Sequence, residues 1–225
     1  MKTFNNYLGK VFLFLTIGLG VTTLVSAPLT INMSSIMAEY GAGFKALALI
    51  SLFVELVVAM IFSSRLLKMS KAGAWICYLL FSGLTGLSLS IVLSAYTTGA
   101  IALAFGLTAG MFAVLAVLGL TTKIDLSKYS TLALTGLFFL IIASIVNLFL
   151  RSNWLTWMIT YLNIIVFLFL VAFDTQKIKD YYEISERDNE AGEKFAIYGA
   201  FQLYLDFINL FLDILRILGV SKSND

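Results

Sequence analysis

Seven long apolar stretches, separated by short polar breaks, divide the chain, and each predicts a membrane-crossing helix, since a span needs about 20 mostly apolar residues. The first runs from Val11 to Leu29, the second from Phe44 to Leu66, the third from Ala74 to Ala95 and the fourth from Ile101 to Leu120. The fifth covers Thr131 to Leu150, the sixth Leu155 to Phe173 and the seventh Phe195 to Leu218. The seventh differs in kind: Gln202, Asp206, Asn209 and Asp213 recur at helical spacing and form a polar stripe, so that face meets protein or water rather than lipid. The longest polar stretch, Asp174 to Lys194, carries both signs of charge and reads as a helical extension plus a loop. The first segment has a rival reading, because Lys2 and Lys10, an apolar run and Val25-Ser26-Ala27 resemble a secretory signal with its cleavage site.

Composition supports the lipid reading. Sixty per cent of the 225 residues are hydrophobic and 12% are charged, where a soluble domain carries about 25% charged residues. No second composition class is present, so the expectation is one transmembrane domain, 1–225, all-α. A net charge of +2 gives no field that would draw nucleic acid. The one cysteine, Cys77, lies in an apolar run and reads as a small buried hydrophobe. Histidine is absent, which removes histidine metal sites and histidine pH switches, so any pH response near neutrality falls to carboxylates.

Lysines and arginines fix an expected orientation. With the N-terminus in the cytoplasm, Lys2, Lys10, Arg65, Lys68, Lys71, Lys123, Lys128, Lys177, Lys179, Arg187 and Lys194 all lie inside, and the first six crossings leave only Lys45 and Arg151 outside. If the seventh helix spans, Arg216 and Lys222 fall outside; if it returns, they stay inside, and its length favours spanning. The short loops fit a multi-pass protein of a bacterial plasma membrane.

Ionisable groups at bilayer depth cost on the order of 2.5–3.5 kcal/mol each on insertion scales, so the few present are worth naming. Glu55 sits mid-helix in Leu52-Phe53-Val54-Glu55-Leu56-Val57-Val58 with no cation near it in sequence. It is either a cation or proton ligand inside the bundle or a neutral acid bonded to a neighbouring helix. Asp174 ends the sixth segment, where a solvated surface residue is the ordinary reading. Arg216 follows Asp213 by three positions, a pairing distance on a helix. Small residues in Ser82-Gly83-Leu84-Thr85-Gly86-Leu87-Ser88, and Gly106, Thr108, Ala109 and Gly110, read chiefly as close helix packing, with a substrate pathway as the lesser alternative. No nucleotide loop, Ser/His/Asp or Cys/His arrangement, or HExxH is found, and two aspartates without local motifs do not make an intramembrane aspartyl protease. The expectation is no enzyme and no tightly bound cofactor.

Six motifs, in order along the chain, resemble the Bax inhibitor-1 (TMBIM) family in its bacterial YccA-like branch. They are Phe81-Ser82-Gly83-Leu84-Thr85-Gly86-Leu87-Ser88-Leu89-Ser90, Thr108-Ala109-Gly110-Met111-Phe112, Thr121-Thr122-Lys123-Ile124-Asp125-Leu126, Ile142-Ala143-Ser144-Ile145-Val146-Asn147, Phe173-Asp174-Thr175-Gln176-Lys177-Ile178 and Leu203-Tyr204-Leu205-Asp206-Phe207-Ile208-Asn209-Leu210-Phe211. The resemblance implies a seven-transmembrane-helix bundle with helix seven central, and a pH-sensitive calcium leak channel with calcium as the permeating ion. By motif match, Asp174 and Asp206 would be the pH sensor. By position, Arg65 would be the latch against it, and Glu55 the acid lining the pore. Glu55, Asp174 and Asp206 would meet calcium transiently. Two carboxylates in contact cannot both ionise cheaply, so such a pair shares a proton.

Departures remain: Leu118-Gly119-Leu120 stands where the family often has Tyr-Gly-Tyr, and the connector between the last two motifs is longer than in animal members. A helix starting at Phe195 would bury Asp206 about 16 Å down while Asp174 stays at the surface, so the pair can meet only if helix seven starts earlier or helix six reaches deeper. The competing expectations are a regulator of a membrane-anchored AAA protease, acting through the N-terminal tail, and a proton-coupled transporter, for which no paired broken helices are evident.

Overall fold

The computed structural model describes residues 3–219. Every regular element among them is helical. The seven long helices are α1 (Phe4–Ile31), α2 (Met33–Arg65), α3 (Lys71–Ser94), α4 (Thr98–Thr121), α5 (Ser130–Leu150), α6 (Asn153–Arg187) and α7 (Asn189–Leu218). All seven are long and apolar enough to cross a membrane.

The helices overrun the predicted segments because hydropathy marks the apolar core and not the helix ends. Residues 33–43, left between segments by the apolar pattern, open α2. Its 33 residues reach about 50 Å at 1.5 Å each, well beyond a hydrocarbon core of roughly 30 Å. The polar stretch after Asp174 is a larger correction. It holds no long loop: α6 runs on to Arg187, and Asp188 alone separates it from α7. The Asp188 carboxylate accepts from the backbone N–H groups of Glu190 (2.9 Å) and Ala191 (3.1 Å), an N-cap that starts α7 at once. Gly192 makes the tight reversal possible, since a Cβ there would run into the Ser185 backbone. Asp174 is therefore an interior residue of a 35-residue helix and not its end.

The chain forms two compact units. The first comprises residues 3–97 and Lys179–Tyr204: α1, α2, α3, the end of α6 and the first half of α7. Here α1 lies along α3, with Thr22 Oγ1 donating to the Ser82 carbonyl (2.9 Å) and Gly86 admitting the Thr22 backbone. The α7 residue Phe201, 1% exposed, meets Phe62 and Phe81 edge to face.

The second unit comprises residues 98–178 and 205–219: α4, α5, most of α6 and the rest of α7. Phe207 of α7 packs on Phe105 and Phe112 of α4. Gly119 of α4 abuts the Ala172 backbone of α6, where any side chain would collide. Gly106 and Gly110, expected to mark close packing in α4, have open space in front of them, so the close approach falls at Gly119. In α5 the only buried residue is Leu140, and its large outward side chains are Leu, Ile, Val and Phe, as a lipid-facing helix requires. In each unit α7 supplies the largest share of buried residues for its length, which places it inside both cores.

Candidate functional site

The second unit brings two predicted acids together. Asp174 and Asp206 are 9% and 3% exposed, and their carboxyl groups are hydrogen-bonded to each other across the α6–α7 contact. The extra turns that start α7 at Asn189 remove the depth mismatch that a start at Phe195 creates, because Asp206 and Asp174 lie at similar distances from the break at Asp188. Asp206 Oδ2 is buried and has no hydrogen-bond partner among the described residues. Lys177 Nζ stands 4.0 Å from Asp174 Oδ1, one turn on along α6, and over the Phe173 ring.

The segment before α5 is tied to the same stretch of α6. Gln176 accepts from the Leu126 N–H and donates to the Ile124 carbonyl, both at 2.9 Å. Asp125 holds that turn, accepting from the Ser127 N–H (3.1 Å) and hydroxyl (2.5 Å), which also keeps its carboxyl below the usual aspartate range. Two of the sequence motifs are thus one structural joint.

Farther along the α6–α7 contact, Asp213 pairs with Arg216 at 3.6 Å, as their spacing predicted, and accepts from Asn163. Arg216 Nη1 also donates to Thr160 Oγ1 (3.1 Å). Of the predicted stripe on α7, Asp206 and Asp213 are buried in the second unit, and Asn209 donates to the Leu205 carbonyl of its own helix (2.8 Å). Gln202 belongs to the first unit, where it accepts from Tyr181 (2.7 Å).

Glu55 and Arg65 both belong to the first unit. Glu55 is 9% exposed and accepts from two hydroxyls of α3, Ser88 Oγ at 2.9 Å and Thr85 Oγ1 at 3.2 Å. Tyr204 Oη lies 2.6 Å from Thr22 Oγ1. Arg65 is the last residue of α2 and is exposed. Where α1, α3 and α7 begin, Glu193 bridges Lys10 (2.8 Å) and Lys71, and Tyr7 donates to the Gly192 carbonyl (3.0 Å). Among the described residues no three acidic, histidine or cysteine side chains gather as a metal site.

Residue types alone did not single out the hydroxyls around Glu55. Thr85 and Ser88 are three positions apart in an apolar helix, which puts them on one face, but nothing in the sequence says that this face meets α2. Glu193 and its lysines are charges at helix ends, indistinguishable in sequence from solvated ones.

The sequence model of a family described as "Inhibitor of apoptosis-promoting Bax1" matches residues 4–224. The chain is 40% identical over 215 residues to the inner membrane protein YbhL of Escherichia coli K12, covering 95% of this chain and 91% of that one. It is 38% identical over 221 residues to an uncharacterized protein of Borreliella burgdorferi (98% and 94%) and 39% identical over 227 residues to one of Rickettsia prowazekii (99% and 94%). With seven spanning helices and relatives of this kind, the chain is a multi-pass membrane protein.

Proposed function

The chain belongs to the Bax inhibitor-1 family, and from that premise we propose that it is a pH-sensitive calcium leak channel whose opening is set by the Asp174–Asp206 pair. The observation that carries this reading is the contact of the two buried carboxyl groups between α6 and α7. One shared proton lets the pair sit together. Losing it places two like charges face to face in a poorly solvated contact, a repulsion far larger there than in water. The two states differ in how tightly α6 and α7 are held at that level, which is what a gate requires. Asp206 Oδ2, buried without a partner, supplies an oxygen for a hard cation in the open state.

Glu55 serves in this reading as the acid that the permeating ion meets in the first unit. Calcium passes and is not retained, so no resident metal or tightly bound cofactor is needed. In this reading the N-terminus faces the cytoplasm, which the lysine and arginine excess of the expected inner loops supports. The printed name of the E. coli relative, an inner membrane protein, supports a bacterial plasma membrane.

The test is calcium flux into proteoliposomes between about pH 6 and pH 8, where, with no histidine in the chain, a response falls to carboxylates. Wild type should carry calcium with a pH dependence that Asp174→Asn and Asp206→Asn each flatten. No flux at any pH would end the channel reading and turn attention to a protein partner such as a membrane-anchored protease.

A further inference from the structure

The stretch of α6 that carries Asp174 is gripped on its other side. Ala172 and Gln176 are four positions apart and share one face of the helix, while Asp174, two positions from each, falls about 200° around it. Asp174 faces α7, and the face of Ala172 and Gln176 meets α4 and the turn before α5. There the backbones of α4 and α6 touch: Gly119 lies against the Ala172 carbonyl and leaves no room for a Cβ. One turn on, the Gln176 amide holds the backbone of the turn at two points, accepting from the Leu126 N–H and donating to the Ile124 carbonyl, each at 2.9 Å. An N–H only donates and a carbonyl only accepts, so the amide fits in one orientation.

The two contacts do different things. Gly119 sets how close α6 comes to α4, but a backbone without a Cβ offers no tooth against a roll of α6 about its own axis. Thr175, fully buried, spends its hydroxyl on the Val171 carbonyl of its own helix (2.7 Å) and gives no hold on α4. Gln176 supplies the tooth, because it is bonded to a turn that Asp125 in turn ties to the Ser127 N–H and hydroxyl. A roll matters at Asp174 because its carboxyl stands roughly 5–6 Å from the helix axis, so that about 10° of rotation carries it about 1 Å sideways. A hydrogen bond between two carboxyl groups spans only about 2.5–3.0 Å between oxygens, and a displacement of that size breaks it.

We propose that Gln176 is a positioning residue for the aspartyl pair: by pinning α6 to the backbone of residues 124–126 it fixes the roll of the helix and aims Asp174 at Asp206. Gln176 carries no charge, so what it supplies to the pair is direction. Its two bonds also give the turn before α5 a part in the sensor, since that turn is the anchor against which α6 is set. The inference deepens the channel reading and rests on its view of Asp174 and Asp206 as the sensor.

The experiment reads the approach of the two positions without their carboxyl groups. Full-length protein in lipid, with Cys77→Ser, carries Asp174→Cys and Asp206→Cys, and the rate of disulfide formation under a fixed oxidant is followed. Removing the bond between the acids leaves the aim of α6 to its other contacts, so the share of Gln176 is seen alone. Gln176→Met keeps the length of the side chain and removes both bonds, and should slow the cross-link by about tenfold. Gln176→Glu keeps the acceptor for Leu126 and loses the bond to Ile124, and should slow it by about threefold, which also serves if Gln176→Met does not fold. Gly106→Ala, which adds a methyl to α4 where there is open space, should leave the rate unchanged. A roll redistributes contact, whereas a loosened structure loses it everywhere. In Gln176→Met, therefore, either Lys177→Cys or Ile178→Cys, which flank Asp174 around the helix one turn on, should gain in cross-linking to Asp206→Cys as Asp174→Cys loses. An unchanged rate in the Gln176 variants, or a fall at all three positions together, overturns the proposal. No flux enters the measurement, so a protein that carries no calcium would end the channel reading and leave this aim standing, while pH-dependent flux beside an indifferent cross-link would refute the aim alone.

Discussion

Glu55 in the first unit and Asp206 in the second are both acids buried where helices meet, yet their surroundings answer the burial in opposite ways. Glu55 has a hydroxyl donor for each oxygen, both from α3. Asp206 faces a second acid, and its Oδ2 has no partner among the described residues. A carboxyl ringed by donors is stabilised in place in either protonation state, because the hydroxyls can turn. A carboxyl against a carboxyl is stable only while a proton is shared, and so its surroundings must change when that proton leaves. The first is suited to meeting an ion and the second to deciding whether helices stay together.

The sharpest way to break this comparison is to neutralise each acid in turn and record flux against pH. Asp206→Asn should leave less than about a twofold variation between pH 6 and pH 8, since the remaining acid no longer shares a proton. Glu55→Gln should instead lower flux by roughly tenfold at every pH, by removing a charge that an ion meets in the membrane, while the shape of the profile persists. If Glu55→Gln flattens the profile and Asp206→Asn merely scales it, the two roles are exchanged and the assignment fails.

Stability should divide the two sites the other way. Thr85→Ala with Ser88→Ala takes both donors from Glu55 and should destabilise by roughly 1–3 kcal/mol for each buried group left unpaired, read by unfolding in mixed detergent micelles. Asp174→Asn should change stability by less than about 1 kcal/mol, because an amide can still donate to Asp206 and removes the like charge. A large loss in Asp174→Asn would mean that the pair is a structural bond and not a switch.

How much of this could be read from the chain differs between the two sites for a physical reason. Apolar length alone predicted seven helices, because a lipid solvent leaves few alternatives. Glu55 and Asp206 stood out for the same reason, being costly where they lie. The partners did not, since a threonine or serine in an apolar helix bonds its own backbone as readily as a neighbour, and here Thr85 and Ser88 do both. The contact of Asp174 with Asp206 depended on where α7 begins. Hydropathy placed that at Phe195, while the cap at Asp188 places it six residues earlier, and six residues of helix are about 9 Å. The Asp174 and Asp206 motifs gave the pair only through resemblance; spacing alone left Asp174 a surface residue.

A third acid calibrates the other two. Glu193 bridges Lys10 and Lys71 at the helix starts, and the lysine side chains are 32% and 49% exposed. Lys71→Gln should therefore cost under about 1 kcal/mol, the ordinary worth of an ion pair in contact with solvent, and Glu193 would keep Lys10. The loss should shrink further as salt rises, since at 0.1 M the screening length is already about 10 Å. Unfolding of wild type and Lys71→Gln across a potassium chloride series reads this directly. At Glu55 and Asp206, where the neighbours are hydroxyls and a second acid shut away from solvent, the same series should leave the effects of substitution unchanged. If salt moved the Asp206→Asn profile as much as it moved Lys71→Gln, the pair would be solvated, and the distinction between a screened surface acid and a buried proton-sharing one would collapse.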